Sequence, residues 1–541
     1  MSSQSPTPLQ IAPRQPGDLA GTIRFTDLSG GSFKRKAQAF YRQELEPMAF
    51  DSQNIDQWSR PGQWFLCPKI NTISTDGADH EYQMVTFNGR VYKLPRVTGV
   101  AADIQSTNDP SGAANWDALA NAYGGTLPLK NGIVWKNQLV IASGEVGANA
   151  LRVLSAAEVW SVIAAAAPAP TTAAALQVGI GPDDRLLVWF DQQGLYAYDG
   201  AAWLKVWPTT AATGPVEGTC DMIARGIGST IFAVRDAQDI GNLYEYSIES
   251  TGVLFIAHFA DGIDGLRFWS DSLDVYNGAC WIGGRLGARS NRGIMFRKEK
   301  LAAPEPMFVL DTNLQGGLAN DGRGLDWSIR CVKAMGDMIW VGASSQQDHS
   351  MALFRVSEDE NGMIVHPASC RPDLQGPIYS IATLPQAVLG ANERLFLSGP
   401  SRTFYKDRED GADPTADADD GWVQLPDVDY GAEDRSKKGR FVEGVLLEKG
   451  TGATDEFQYR VDPPTPSSPW TTLGQFNTVS SATTPPDRLS LGHDNEAGGV
   501  YGKNFRRFQP RIHMTRATSG VARSRIDTLA IDVVEIRPPG L

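Results

Sequence analysis

Short runs of apolar, aromatic and β-branched residues recur through the middle of this chain at a spacing that few folds can use. They are MVTF from Met84, QLVIAS from Gln138, LLVWFD from Leu186, TIFAVRD from Thr230, ACWIGG from Ala279, MIWVGA from Met338 and RLFLSG from Arg394. Anchored on Val85, Leu139, Leu187, Phe232, Trp281, Trp340 and Phe396, successive units lie 45 to 59 residues apart. Most are followed, after a turn, by a second alternating run: LYAY behind Gly194, NLYEY behind Gly241, IMFRK behind Gly293, then MALFRV and RTFYKD. Alternation of apolar and polar residues over five or six positions is the mark of a half-buried strand, so each pair reads as a hairpin. A further strand closes many units, in WLKVW, VLFIAHF, MFVLD, GMIVHP and GWVQLP, while IRCVKAMG and IYSIATLP read as innermost strands.

Four strands in roughly fifty residues is the size of one propeller blade. Six or seven such sheets arranged in a ring would leave only short, protected edges. A β-helix would repeat at far shorter intervals, and a large sandwich would not hold this period over so many units. The expected fold is therefore all-β: a six- or seven-bladed β-propeller with a C-terminal antiparallel β-sandwich and an irregular N-terminal arm. The expected division is an arm and docking segment over 1–65, the propeller over 66–430 and the sandwich over 436–541. Within the arm, KRKAQAFYRQELEP can make a short helix. The sandwich is read from GRFVEGVLLEKG, EFQYRVDPP, SPWTTLGQF, RLSLG, NFRRFQPRIHMTRA and SRIDTLAIDVVEI.

The formal net charge of −13 argues against a general nucleic-acid binder, which would present a basic footprint. One basic strip stands out near the C-terminus: Lys503, Arg506, Arg507, Arg511, Arg516, Arg523 and Arg525, with no acidic residue among them. In an acidic molecule that strip is expected to meet an acidic protein partner, another copy's propeller included, rather than a polyanion. The five cysteines are far apart and form no C-x-x-C pair, so neither a disulfide framework nor a zinc cage is expected. No secretory signal and no apolar stretch of membrane-spanning length is read, so no membrane insertion is expected.

The chemistry-bearing motifs are missing. The six histidines make no H-x-H or H-E-x-x-H pattern, and no G-x-S-x-G elbow or phosphate-binding glycine loop occurs. The loop from Asp407 to Gly421 gathers Asp407, Glu409, Asp410, Asp413, Asp417, Asp419 and Asp420; its carboxylates could hold calcium but lack the EF-hand order, and a solvated acidic loop is preferred. Asp261, Asp264, Asp321 and Asp326, near Arg267 and Arg323, could face a central channel as the paired carboxylates of a propeller glycosidase. Acidic residues at strand entries also serve turns. The expectation is no catalytic, cofactor-binding or metal-binding residue, no cofactor, and no enzyme activity.

The ends of the chain carry a family resemblance. TDLSGG with Gly30 and Gly31, QNIDQW with Asn54 and Asp56, and the turn Arg60 to Gly62 resemble the opening of tailed-bacteriophage tail propeller proteins, of which the podophage nozzle or tail tubular protein B group is the best known. QYRVD, PWTTLG, NFRRFQPRI and SRIDTLAIDVVEI resemble the β-sandwiches appended to phage virion propellers. The resemblance covers about a third of the chain. It implies a structural virion protein of the tail or tail tip, made in the host cytoplasm and housed in the virion. Its implied partners are other virion proteins and further copies of itself, with nucleic acid met only by proximity in a tail channel. The alternative is a propeller that recognises a host receptor or carbohydrate.

Overall fold

The computed structural model describes residues 20–25, 51–56, 63–75, 81–96, 104–108, 116–125, 128–208, 218–236, 241–247, 253–257, 266–286, 292–300, 302–310, 327–336, 338–345, 351–359, 362–371, 377–384, 393–399, 402–407, 417–425, 437–461, 469–491, 503–505, 508–520 and 522–535. Among these the one helical turn is Gly147–Asn149, and no helix is long and apolar enough to cross a membrane. The protein is all-β. The KRKAQAFYRQELEP segment lies outside the described residues.

Seven four-stranded antiparallel sheets follow one another along the chain. The first is Tyr82–Phe87, Arg90–Pro95, Gln105–Thr107 and Asp117–Ala118; the second is Asn131–Trp135, Gln138–Ala142, Leu151–Leu154 and Trp160–Ile163. The third runs from Ala175–Ile180 to Trp203–Trp207, the fourth from Thr219–Arg225 to Val253–Ala257, and the fifth from Leu273–Tyr276 to Glu305–Leu310. The sixth is Trp327–Met335, Met338–Ser345, Met351–Asp359 and Gly362–Arg371. The seventh takes Ser380–Leu384, Arg394–Gly399 and Arg402–Asp407 from this end of the sequence, but its outer strand is Asn71–Thr75, antiparallel to Arg402–Asp407.

Two details of the repeat are corrected. Leu139, Leu187, Phe232, Trp281, Trp340 and Phe396 all lie on second strands, whereas Val85 lies on a first strand. The true equivalent in the first sheet is Arg90–Pro95, where Tyr92 is buried. Secondly, GWVQLP does not close the seventh sheet: Asp420–Gln424 pairs with Asp51–Gln53 and Phe508–Thr515. Both slips arise because a local apolar pattern identifies a strand without identifying its partner.

The first strand of each sheet packs on the first strand of the next, and Ser380–Leu384 of the seventh packs on Tyr82–Phe87 of the first, so the seven form a closed cycle. Side-chain amides tie neighbours together. Gln83 donates to the Gly132 carbonyl at 3.2 Å and accepts the Gly132 N–H at 2.7 Å; Asn131 does the same for Val178, at 3.1 and 2.8 Å. Each such amide satisfies a buried donor and acceptor that would otherwise be orphaned. Glycine on the second strand lets sheets approach: a Cβ on Gly283 would stand 2.3 Å from the Ile329 side chain of the sixth sheet. That is inside any real van der Waals contact.

Ten further strands build two five-stranded sheets. One orders Ala20–Phe25, Arg525–Glu535, Lys437–Glu448 and Asp487–Ser490, with Lys503–Phe505 also on Lys437–Glu448. The other orders Asp51–Gln53, Asp420–Gln424, Phe508–Thr515, Asp455–Val461 and Thr471–Gln475. They share one apolar core that includes Val423, Val442, Leu446, Phe457, Phe508, Ile512, Leu529 and Ile531. Trp64 and the short hairpin Ile55–Asp56 with Phe65–Leu66 pack there too. The arm expected to be irregular over 1–65 thus supplies a strand to each of these sheets, Ala20–Phe25 and Asp51–Gln53, while Asn71–Thr75, within the span expected to be propeller, closes the seventh.

Candidate functional site

Charged side chains of the first, fifth and sixth sheets gather around an interruption in the fifth sheet. Arg267 pairs with Arg285 as an isolated bridge, each backbone N–H donating to the other's carbonyl at 3.0 Å. The regular ladder resumes only at Leu273 opposite Ile282. Between them Trp269–Ser272 forms a tight turn, closed by the Ser272 N–H on the Trp269 carbonyl at 3.0 Å and by the Ser272 hydroxyl on the same carbonyl at 2.7 Å. Gly284 makes room for it, since a Cβ there would stand 2.9 Å from the Arg267 carbonyl.

That turn reaches beyond its own sheet. The Asp271 carbonyl accepts the Val332 N–H of the sixth sheet at 2.8 Å, and its Oδ1 accepts Gln83 Nε2 of the first sheet at 3.0 Å. Arg96, just past the second strand of the first sheet, donates from Nη2 to Ser270 Oγ at 2.7 Å. It also lies 3.7 Å from Asp271 Oδ1 and 3.8 Å from Glu81 Oε1. Arg96 is therefore neutralised locally.

Arg330 is not. The ladder between Trp327–Met335 and Met338–Ser345 slips between Ile329 and Cys331, leaving Arg330 as the bulged residue. A bulge re-aims its side chain out of the alternation. The Arg330 guanidinium lies over two rings, 5.1 Å from the centre of Trp269 and 5.3 Å from that of Tyr379. Arg267 lies 5.7 Å from the centre of the same indole. Burial pulls the Arg330 pKa down, and the positive charges of Arg267 and Arg285 push the same way, against Tyr379 and Glu81. Among the described residues Arg330 makes no side-chain hydrogen bond and no ion pair, and its buried Nε has no acceptor. A guanidinium with a free Nε edge can take a planar oxyanion side-on.

Of the residues weighed for a channel site, Arg267 is in this cluster; Asp261, Asp264, Asp321, Asp326 and Arg323 lie outside the described residues. Arg330, Trp269 and Arg96 were missed. The signal was present in Ile329-Arg330-Cys331-Val332, where a charge interrupts an apolar run and breaks the alternation that a regular strand requires.

The acidic loop and the basic strip meet each other. Asp407 pairs with Arg394 at 2.7 Å, Asp419 with Arg516 at 3.1 Å, and Asp420 lies 3.4 Å from His513. Buried Asp417 takes Arg523 on both oxygens, at 2.5 and 2.7 Å. Arg525 pairs with Glu448 at 3.2 Å. Arg511 donates to Gln458 and stacks on Trp470 at 4.3 Å; burial first, then Arg460, draws its pKa down to about 10. Arg516, Arg523 and Arg525 are thus engaged within the chain instead of forming an open basic face. Glu409, Asp410, Asp413, Arg506 and Arg507 lie outside the described residues, among which no group of three or more potential metal ligands occurs.

No known family matches the chain, and no curated protein matches it. Among solved structures, one from a structural and mechanistic study of two prolyl endopeptidases matches with a TM-score of 0.36 and 9% identity, over 65% of this chain and 55% of that one. The chain spans little more than half of that protein's length. The expectation that the chain is not an enzyme is withdrawn. It rested on missing local motifs, whereas active groups in a β-rich fold come from strands far apart in sequence. At this TM-score the likeness assigns no activity in its place.

Proposed function

We propose that the seven four-stranded sheets are the blades of a β-propeller, that the two five-stranded sheets are a β-sandwich, and that the whole is a structural protein of a tailed-bacteriophage particle. In this reading it belongs to the tail or tail tip and works through contacts with other virion proteins and with copies of itself. The observation that carries the reading is the use made of the first 75 residues: Asn71–Thr75 closes the seventh sheet, while Ala20–Phe25 and Asp51–Gln53 complete the two others. Stitching of this kind holds ring and sandwich as one stiff piece, as repeated docking in a symmetric assembly requires. The resemblance of TDLSGG, QNIDQW and the C-terminal strands to phage tail proteins supports the same conclusion.

The test is particle composition. Virions purified on a density gradient from cells carrying the gene should contain this chain in several copies per particle by quantitative mass spectrometry. Its absence from intact particles would end the reading. A second reading, a propeller that recognises a ligand, is favoured by one observation, the Arg330 guanidinium on the first strand of the sixth sheet, whose buried Nε has no acceptor.

A further inference from the structure

We infer that Arg330 and Arg267, walled by Trp269 and Tyr379, form a binding site for a small oxyanion-bearing ligand, a carboxylate or a phosphate ester. The inference goes beyond the assembly reading and does not depend on it. Three observations converge. Arg330 is held out of its ladder by the bulge between Ile329 and Cys331, as Leu176 and Asp221 are in the third and fourth sheets, but unlike Asp221, which pairs with Arg235, it has no ion-pair partner among the described residues. Its guanidinium lies over two aromatic rings, 5.1 and 5.3 Å from their centres, which interact with the cation but leave its N–H groups as donors. Its Nε is buried with no acceptor, an arrangement that costs stability unless a ligand completes it.

The surroundings set the charge of the ligand. Arg267 lies over the same indole, 5.7 Å from its centre, and makes no ion pair among the described residues. Arg285 is backbone-paired to Arg267, so its charge adds to the same field. Of the nearby carboxylates, Asp271 spends its Oδ1 on Gln83 and Arg96 and keeps a buried Oδ2 without a partner, and Glu81 faces Arg96 while its charge also reaches Arg330. A cation would meet repulsion here, and a neutral ligand would leave the orphaned Nε–H to compete for a weaker acceptor. An oxyanion satisfies both, through two parallel N–H···O bonds to the Nε edge.

The experiment is thermal unfolding of the full chain at constant ionic strength, titrated with glucuronate, inorganic phosphate, or glucose as the neutral control. A ligand that binds only the folded state raises the midpoint in a saturable way. The expected result is a saturable rise with glucuronate or phosphate and none with glucose. A response to glucuronate alone identifies a carboxylate site, and a response to phosphate alone a phosphate site. Arg330→Gln should weaken the apparent affinity by at least about tenfold, the scale of one charge-assisted bidentate contact. Arg267→Gln, at a half-buried residue, should weaken it as well and keeps the test open if Arg330→Gln does not fold. Arg225→Gln, at an exposed residue on the fourth sheet, should leave it unchanged. No rise with either anion, or an undiminished rise in both site variants, overturns the inference.

Discussion

A buried lysine shows how far one residue's cost is set by its neighbours. Lys406, on the third strand of the seventh sheet, is 1% exposed and donates to the Pro68 carbonyl. Asp56 and Asp417, the nearby carboxylates, are already engaged by Arg355 and Arg523. Lys406 is the surplus cation of the group. Burial pulls its pKa down to about 8. An unfolded lysine titrates near 10.4, so between roughly pH 8 and that value the unfolded chain holds a proton the folded one has lost, and stability rises with pH across the window. The stabilising limit lies above the window, and stability falls as the pH drops through the folded value. Lys406→Met should therefore stabilise the protein at pH 7 by about 2 kcal/mol, allowing for the carbonyl left without its donor, and should flatten the pH dependence. Urea unfolding at pH 7 and pH 10 measures both; a variant less stable than wild type at pH 7 would refute the account. Cys67, beside this group, has its thiol pushed up to about 12 by burial first and then by Asp56, so it stays protonated.

At the scale of elements, the legible strands were those whose pattern is complete within one hairpin. Leu186–Phe190 with Gly194–Tyr198, and Ser229–Arg235 with Gly241–Ser247, carry their aromatic and branched residues and their turn glycine within about twenty positions. The illegible ones draw meaning from partners far away. Asn71–Thr75 reads NTIST, too short and polar to signal a strand, and its partner lies more than three hundred residues on. First strands were hard for a different reason: bulges at Leu176 and Asp221 break the alternation from which strands are read, and the bulge at Arg330 went unseen within IRCVKAMG, which was read as a strand. The same breaks concealed the candidate site. The closing strand yields a prediction. Ile73 is buried with Tyr82, Met84, Leu384 and Phe396 where the seventh sheet meets the first. Ile73→Asp would place a carboxylate in that apolar cluster, costing about 3 kcal/mol or more, and should release Asn71–Thr75 from its sheet. Hydrogen exchange should then show lost amide protection in Arg402–Asp407 while Leu151–Leu154 of the second sheet keeps its own. Unchanged protection in Arg402–Asp407 would mean that the strand does not secure the seventh sheet.

At the scale of the molecule, the ring and the two-sheet unit are joined through charge. Asp56, on the hairpin that packs into the core of the two-sheet unit, meets Arg355 of the sixth sheet at 3.1 Å, both nearly inaccessible to water. Arg523, next to the strand Arg525–Glu535, meets Asp417 within the same junction, and the Cys67 carbonyl accepts the Ala418 N–H at 2.8 Å. Buried pairs are poor sources of net stability, because desolvation offsets most of their attraction, but removing one partner strands the other. Their consequence is specificity: the sheets fit in one register only, because any other would bury an unmatched guanidinium. Asp56→Asn should cost about 3–5 kcal/mol, whereas Asp56→Leu with Arg355→Met should lie much closer to wild type. Calorimetry separates the two roles of the pair. If the junction couples the units, wild type melts in one transition and Asp56→Asn in two, the earlier belonging to whichever unit the junction had been holding. The double replacement, apolar on both sides, should restore a single transition. Should Asp56→Asn leave both the midpoint and the number of transitions unchanged, the pair is not what binds the ring to the two-sheet unit, and the coupling must lie in the chain itself, which gives Asp51–Gln53 to the two-sheet unit and Asn71–Thr75 to the ring.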